Sequence, residues 1–396
     1  MKVLSVFLWS ALLLGVVAPA CADTGDNRFG FDLYVRHAAD TGNAFFSPYS
    51  ISTALTMAYE GAHGQTADEM RAVLHLSSDD AVRREETTAL IQRLNRSGKS
   101  YELKIANALW AQKDFVFLPQ YMTMIEEVYG GTARDVDFVG DTEGVRLTIN
   151  RWVADQTRNR IRDLLLPGSL DTLTRLVITN AVYFKGAWAK PFDKALTTKG
   201  DFLVSPDRKA VVEMMNLPDE RLAYAEDGEA QILELPYKGN ELSMLIVLPR
   251  EKDLRKVAGL FSEAKFKVWR EALREAKVSV TMPRFKCEAR YQLENDLAGM
   301  GMPTAFNETT ADFSGMTGKP NLYISRVLHK AWIEVDEKGS EAAAATAVVM
   351  DQLALPVNVA RPKIFRADHP FFFVIEDKQS GEILFMGRVV DPGKGQ

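Results

Sequence analysis

The spacing of strand-forming runs constrains this fold more than any other feature. Apolar or alternating stretches at 102–111, 176–184, 229–235, 241–248, 277–286, 322–335, 370–375 and 383–389 arrive as long runs and hairpin-like pairs. They do not alternate regularly with helices, as a doubly wound or barrel architecture requires. The pattern predicts an α+β domain with large mixed or antiparallel sheets and argues against Rossmann and TIM folds. Helical periodicity dominates the first third. Phe31, Tyr34, Val35 and Ala38 share a face, 51–60 continues the pattern, and Thr66 with Glu69 reads as a capping box before Met70 and Leu74. Runs 83–95, 120–129 and 143–165 are further helices. The last carries Val145, Ile149, Trp152, Val153 and Ile161 at helical spacing, and its five arginines, mixed with Asp155 and Asp163, read as a solvated face. No Pro/Ser-rich linker, charge block or repeat divides 23–396, so these residues form one domain.

Charge argues against a polyanionic partner. Forty-eight Lys and Arg face 53 Asp and Glu, a formal charge of -5, so no nucleic acid is expected, and no basic cluster suggests a glycosaminoglycan. At the N-terminus Lys2 precedes an apolar run, 3–17, then small residues ending Ala20-Cys21-Ala22. The run is short for a membrane span and fits a cleaved signal, so residues 1–22 read as a signal peptide and the protein as secreted, extracellular or periplasmic. A single-span anchor and a lipid on Cys21 are the competing readings. Cleavage leaves Cys287 as the one cysteine, in an alternating stretch where a buried small hydrophobe is the expectation.

Catalytic chemistry finds no constellation. The five histidines form no H-E-x-x-H pair, no cysteine cluster completes a metal site, and no G-x-S-x-G or G-x-G-x-x-G follows a strand. Ser97-Gly98-Lys99-Ser100 resembles the end of a P-loop, but Arg93 stands where its first glycine belongs. No enzyme activity, metal or cofactor is expected.

One segment does not behave. In 336–355, DEKGSEAAAATAVVMDQLAL, Ser340 and Glu341 open an alanine-rich helix signal that turns at Thr346 to strand-formers Val348 and Val349. Read alone, it is a short surface helix and loop. The stretch HKAWIEVDEKGSEAAAAT, 329–346, resembles the proximal hinge of the serpins, the serine protease inhibitors. Five further blocks resemble the same family in order: NAFFSPYSISTALTMAYEGAHGQTADEM (43–70), TNAVYFKGAWAKPF (179–192), ELPYKGNELSMLIVLPR (234–250), MPRFKCEARYQLENDLAGMGM (282–302) and HPFFFVIEDKQSGEILFMGRVVDP (369–392).

The resemblance implies a serpin fold of three β-sheets and about nine helices with an exposed reactive-centre loop, here about 338–362. It implies a suicide-substrate inhibitor: a serine protease cleaves the loop, forms an acyl-enzyme, and is trapped when the loop inserts as a strand into the central sheet. Glu337, Gly339, Ser340, Glu341, Ala342, Ala343, Ala344, Ala345 and Thr346 form the hinge. Alternate residues from Ser340 would point inward, and their small size suits entry between strands. The family spacing of about 17 residues from Glu337 puts the reactive bond at Leu353-Ala354, with Met350 and Leu355 as alternative registers. Leucine there suits a chymotrypsin-, elastase- or subtilisin-like target. A non-inhibitory role in binding, carriage or chaperoning, and inhibition of cysteine proteases, are the alternatives.

By the same resemblance, Ser47, Ser50, Asn180 and His329 match the shutter beneath the central strands. Trp188, Arg284 and Glu337 match the breach at their head. The protein is expected to be a monomer apart from the covalent complex with its target. Phe192, Phe371 and Phe372 read as core.

Overall fold

The structure, a computed structural model, describes residues 26–394 apart from 39, 97, 257–258, 321 and 341–360. The first half runs α1 (Arg28–Arg36), β1 (Ala44–Phe46), α2 (Pro48–Tyr59), α3 (Gly64–Leu74), α4 (Asp80–Asn95), β2 (Tyr101–Gln112), α5 (Pro119–Tyr129), β3 (Thr132–Val136), α6 (Thr142–Gln156) and β4 (Leu176–Ala187). It continues with β5 (Thr198–Ser205), β6 (Arg208–Glu226), β7 (Ala230–Pro236), β8 (Leu242–Pro249), α7 (Glu263–Ala272), β9 (Arg274–Pro283), β10 (Phe285–Gln292) and α8 (Glu294–Met300). Last come α9 (Ser314–Thr317), β11 (Ile324–Asp336), β12 (Gly339–Ser340), β13 (Lys363–Arg366), β14 (Phe371–Asp377) and β15 (Ile383–Val389).

The strands join into two hydrogen-bonded networks. The central sheet has the order β10-β11-β12-β4-β2-β3; the other runs β1-β15-β14-β8-β7-β6-β9-β13, with β5 on β6. A register shift between Leu217 and Glu220, where Pro218 has no N–H and Asp219 takes φ 56, divides β6. Its first half pairs with β5 and its second with β7, so the second network works as two sheets.

In the central sheet β4 and β11 run parallel over eight register pairs, from Leu176 beside Ile324 to Tyr183 beside Trp332. Both faces of β4 are covered, which is why it reads as a continuous apolar run. On one face Val182, Phe184, Ala331 and Ile333 pack with Tyr237 and Phe385; on the other Ala181, Tyr183, Leu328 and Trp332 meet Ile149 and Val153 of α6. Phe192, Phe371, Phe372 and Cys287 are all buried, and burial pushes the Cys287 thiol up to about 12.

Several sequence expectations are corrected. Thr66 and Glu69 form no capping box, because α3 begins at Gly64 and both side chains serve other segments. Thr66 Oγ1 accepts from Asp312 N at 3.0 Å, and Glu69 accepts from Thr304 N and Oγ1 at 2.9 and 2.8 Å. Helix α6 stops at Gln156, not 165. Thr157 Oγ1 takes the Ile161 N–H at 3.2 Å, and Arg158 and Asn159 follow at φ 50 and 60, outside any helix. Its arginines are not one solvated face, since Arg146 is buried and bonds Leu165 O at 2.8 Å. Val35 points to solvent. The run 277–286 is two strands, broken at Arg284.

Candidate functional site

The site is the seam between β4 and β11, and it begins with a turn. Asp336 Oδ1 accepts from Lys338 N at 2.8 Å and Gly339 N at 3.2 Å, so the chain reverses as it leaves β11. Gly339 and Ser340 then run back between the two strands: Ser340 pairs with Val335 on β11 and with Gly186 on β4. Only glycine fits at 339. Its φ is 147, and a Cβ there would lie 2.0 Å from Gly186 O and 2.7 Å from Ala187 Cα. Ser340 is fully buried, its Oγ 2.7 Å from Tyr237 Oη, and Tyr237 stacks on Trp188 with ring centroids 4.7 Å apart.

Trp188 and Phe192 hold the turn's carbonyls. Trp188 Nε1 donates to Asp336 O at 3.0 Å, Trp188 N to Lys338 O at 2.9 Å, and Phe192 N to Glu337 O at 2.8 Å. The Glu337 carboxylate accepts from Arg284 Nε at 2.8 and 2.9 Å, from Arg284 Nη2, and from Thr197 Oγ1 at 2.5 Å. Arg284 also pairs with Glu213. Burial alone would raise the Glu337 carboxyl, but the bonds from Arg284 and Thr197 hold it below the usual carboxylate range.

Lower down, a polar row crosses three strands. His329 on β11 is level with Asn180 on β4, which is level with Asn107 on β2. His329 Nε2 accepts from Ser47 N at 3.2 Å, so the proton of the neutral ring sits on Nδ1, which donates to Asn180 Oδ1. Asn180 Nδ2 donates to Ser50 O at 3.0 Å and contacts Ser50 Oγ and Asn107 Oδ1. Ser47 Oγ accepts from Ser50 N at 3.1 Å, capping α2, and donates to Leu384 O at 2.6 Å. Every member is buried, and burial pushes His329 down to about 3. A charged imidazole would turn a second donor toward the Ser47 N–H, so the row holds only while the ring is neutral.

A family model described as serpin (serine protease inhibitor) matches residues 24–392. The chain belongs to the serpin family. This serpin is 45% identical over 370 residues, 93% of its own length and 85% of the other, to an uncharacterized serpin-like protein of Thermococcus kodakarensis. It is 39% identical to human leukocyte elastase inhibitor, covering 93% of this chain and 99% of that one. Among solved structures, Serpin48 of the insect Tenebrio molitor superposes with a TM-score of 0.81 at 34% identity, covering 92% and 96%. The serpin fold, with its α+β composition, is thereby shown.

The structure brings together Ser47, Ser50, Asn180 and His329 in one group, and Trp188, Arg284, Glu337, Gly339 and Ser340 in another. Glu341, Ala342 to Ala345, Thr346, Met350, Leu353, Ala354, Leu355 and the stretch 1–22 expected to be a signal peptide lie outside the described residues. Sequence reasoning missed Asn107 and Tyr237. Asn107 was findable: an amide inside the apolar run from Ile105 to Ala111 needs a buried partner. Among the described residues no cluster of three His, Cys, Asp or Glu suits a metal ion, and no helix is long and apolar enough to cross a membrane.

Proposed function

We propose that this serpin inhibits serine-type endopeptidases by suicide-substrate trapping: cleavage in the loop, an acyl-enzyme, then insertion of the loop as a strand between β4 and β11. The observation that carries the reading is the seat of Ser340. The seam is paired up to Tyr183 and Trp332, yet above that level it already admits β12 as an antiparallel strand bonded to both sides. The first residues of an incoming strand are in place, and the rest of the slot is closed.

Continuing this register explains the residue sizes. Ala342 would come level with Phe184 and Ile333, Ala344 with Val182 and Ala331, and Thr346 with Asn180 and His329, all on the face that Ser340 occupies. Ala343 would come level with Tyr183 and Trp332 on the α6 side. Both faces are covered there, so small residues are needed on both parities, not only the inward one. Glu341 would lie beside Lys185, which is only part-buried, and can keep its charge solvated.

The predicted bond is Leu353-Ala354, and the predicted targets are chymotrypsin-, elastase- or subtilisin-like. The human relative's name, leukocyte elastase inhibitor, agrees with that class. Export through residues 1–22 would place the protein, as a monomer, where such proteases act. The test mixes the pure protein with a panel of these enzymes. An SDS-stable complex and a released peptide starting at Ala354 are expected. No stable complex with any member would refute inhibition, and a peptide starting elsewhere would refute the register.

A further inference from the structure

The turn that follows α6 lies across the seam, and its arginines divide between the strands beneath. The turn is built tightly. Asn159 N donates to Ala154 O at 2.7 Å and Arg160 N to Thr157 O at 2.9 Å, with Arg158 and Asn159 in the left-handed region just before Arg160. From there Arg158 Nε reaches Glu102 on β2 at 2.8 Å, while Lys330 Nζ on β11 donates to Arg162 O at 2.8 Å.

Arg160 goes to the seam itself. Its guanidinium carbon sits 5.4 Å from the centroid of Trp332, and Lys286 Nζ on β10 lies 5.7 Å from the same ring. Across the seam Tyr183 packs on Trp332 with centroids 6.0 Å apart, and both rings are almost fully buried. Burial raises the Tyr183 phenol and the Arg160 charge pulls it back, so Arg160 acts on both rings. Tyr183 and Trp332 are also the last register pair of the parallel β4–β11 ladder, directly below the place where β12 enters.

We propose that Arg160, Trp332 and Tyr183 form a clasp at the head of the closed seam, and that Arg160 is the positioning residue that sets how fast a strand can enter. The proposal rests on the insertion reading above. A strand advancing past Ser340 must part this ring pair before any other. A guanidinium lying over the buried rings, though itself exposed to solvent, resists that parting through the ring quadrupole.

The test uses the full-length protein and a synthetic peptide of residues 340–351, and needs no protease. Annealing is followed by tryptophan fluorescence and by the gain in thermal stability. Arg160→Gln should raise the annealing rate about fivefold, about 1 kcal/mol in the barrier, the upper end for an exposed cation over a ring. Arg160→Lys, which keeps a cation over Trp332, should recover most of the wild-type rate. Arg158→Gln, in the same turn but bonded to β2, should stay within about twofold of wild type. Wild-type annealing with an unchanged rate in Arg160→Gln would overturn the clasp alone, even if its unfolding midpoint fell. Equal acceleration by Arg158→Gln would also overturn it, by showing that loosening the turn is enough. A wild-type protein that anneals no peptide would overturn both the clasp and the insertion reading.

Discussion

Replacing Glu337 with lysine tests the head of the seam most directly. The carboxylate is buried, receives three bonds from Arg284 and one from Thr197, and belongs to the turn from which β12 departs. Removing one partner of a buried, hydrogen-bonded ion pair costs about 3–5 kcal/mol. Arg284 keeps Glu213 and is a quarter exposed, so the lower end, about 3 kcal/mol, applies here. If all of it appears in the barrier to opening, Glu337→Lys should open and self-associate about 100-fold faster than wild type. Glu337→Gln keeps an acceptor and should accelerate opening about fivefold, the effect of about 1 kcal/mol. Loss of monomer during mild heating, read by size-exclusion chromatography at fixed concentration, measures both. The pH dependence provides a second check. The Glu337 carboxyl is held below its ordinary value of 4.5, so its stabilisation is complete above that value and disappears as pH falls through the lowered one. The cleft of about 690 Å³ beside Arg284 and Glu337 gives protons access. Wild type should therefore open faster as the medium is acidified below about 4.5, and Glu337→Gln should show less of this change. A lysine variant that remained monomeric at the wild-type rate would refute the reasoning.

Three further perturbations address the rest of the seam. His329→Gln should be less stable than wild type at pH 7 but should flatten the pH profile. The native imidazole is held at about 3, so its stabilisation is full above its ordinary value of 6.5 and falls with acidification, by about 2 kcal/mol at pH 5. Urea unfolding at several pH values measures this, and an unchanged slope would be the contrary result. Asn180→Ala leaves His329 Nδ1 and Asn107 Oδ1 without their buried partner and should cost about 3 kcal/mol in the same assay. Gly339→Ala drives a Cβ into the Gly186 carbonyl and should expel β12, exposing 337–340 to limited proteolysis; a variant as resistant as wild type would count against the seat.

The fold was legible where pattern and burial agree. The runs that became β2, β4, β7, β8, β11, β14 and β15 are apolar because packing covers them, and strand 383–389 matches to the residue. The unread part lay where hydrogen bonding decides. Strands β5 and β6 carry charges at exposed positions and Pro218 at a bulge, so period-two counting passes over them. Helix α6 ends at Gln156 because Arg158 and Asn159 turn to positive φ and the Thr157 hydroxyl takes the Ile161 N–H, which apolar spacing does not register. In the site, resemblance supplied His329 and Glu337, but not Tyr237, whose hydroxyl is needed only once Ser340 is seated. No local signal encodes that partnership across 103 residues of chain.

On the proposed mechanism, these polar and aromatic contacts act as barriers more than as sources of equilibrium stability. In the closed seam β4 and β11 satisfy each other through one parallel ladder. A strand placed between them would keep both edges bonded and add its own donors and acceptors to two antiparallel ladders, while its small side chains fill a slot walled by Val182, Phe184, Ala331 and Ile333. Each inserted residue therefore gains backbone bonds and apolar burial over the closed state. A chain with this slot stays closed only if opening is slow. That is why the tests at Glu337 and Arg160 are read as rates. It also explains where the contacts lie: Tyr183 with Trp332 just below the seat of Ser340, and Asn180 with His329 below them, each in the path of an advancing strand and each requiring separation before the next residue gains its bonds.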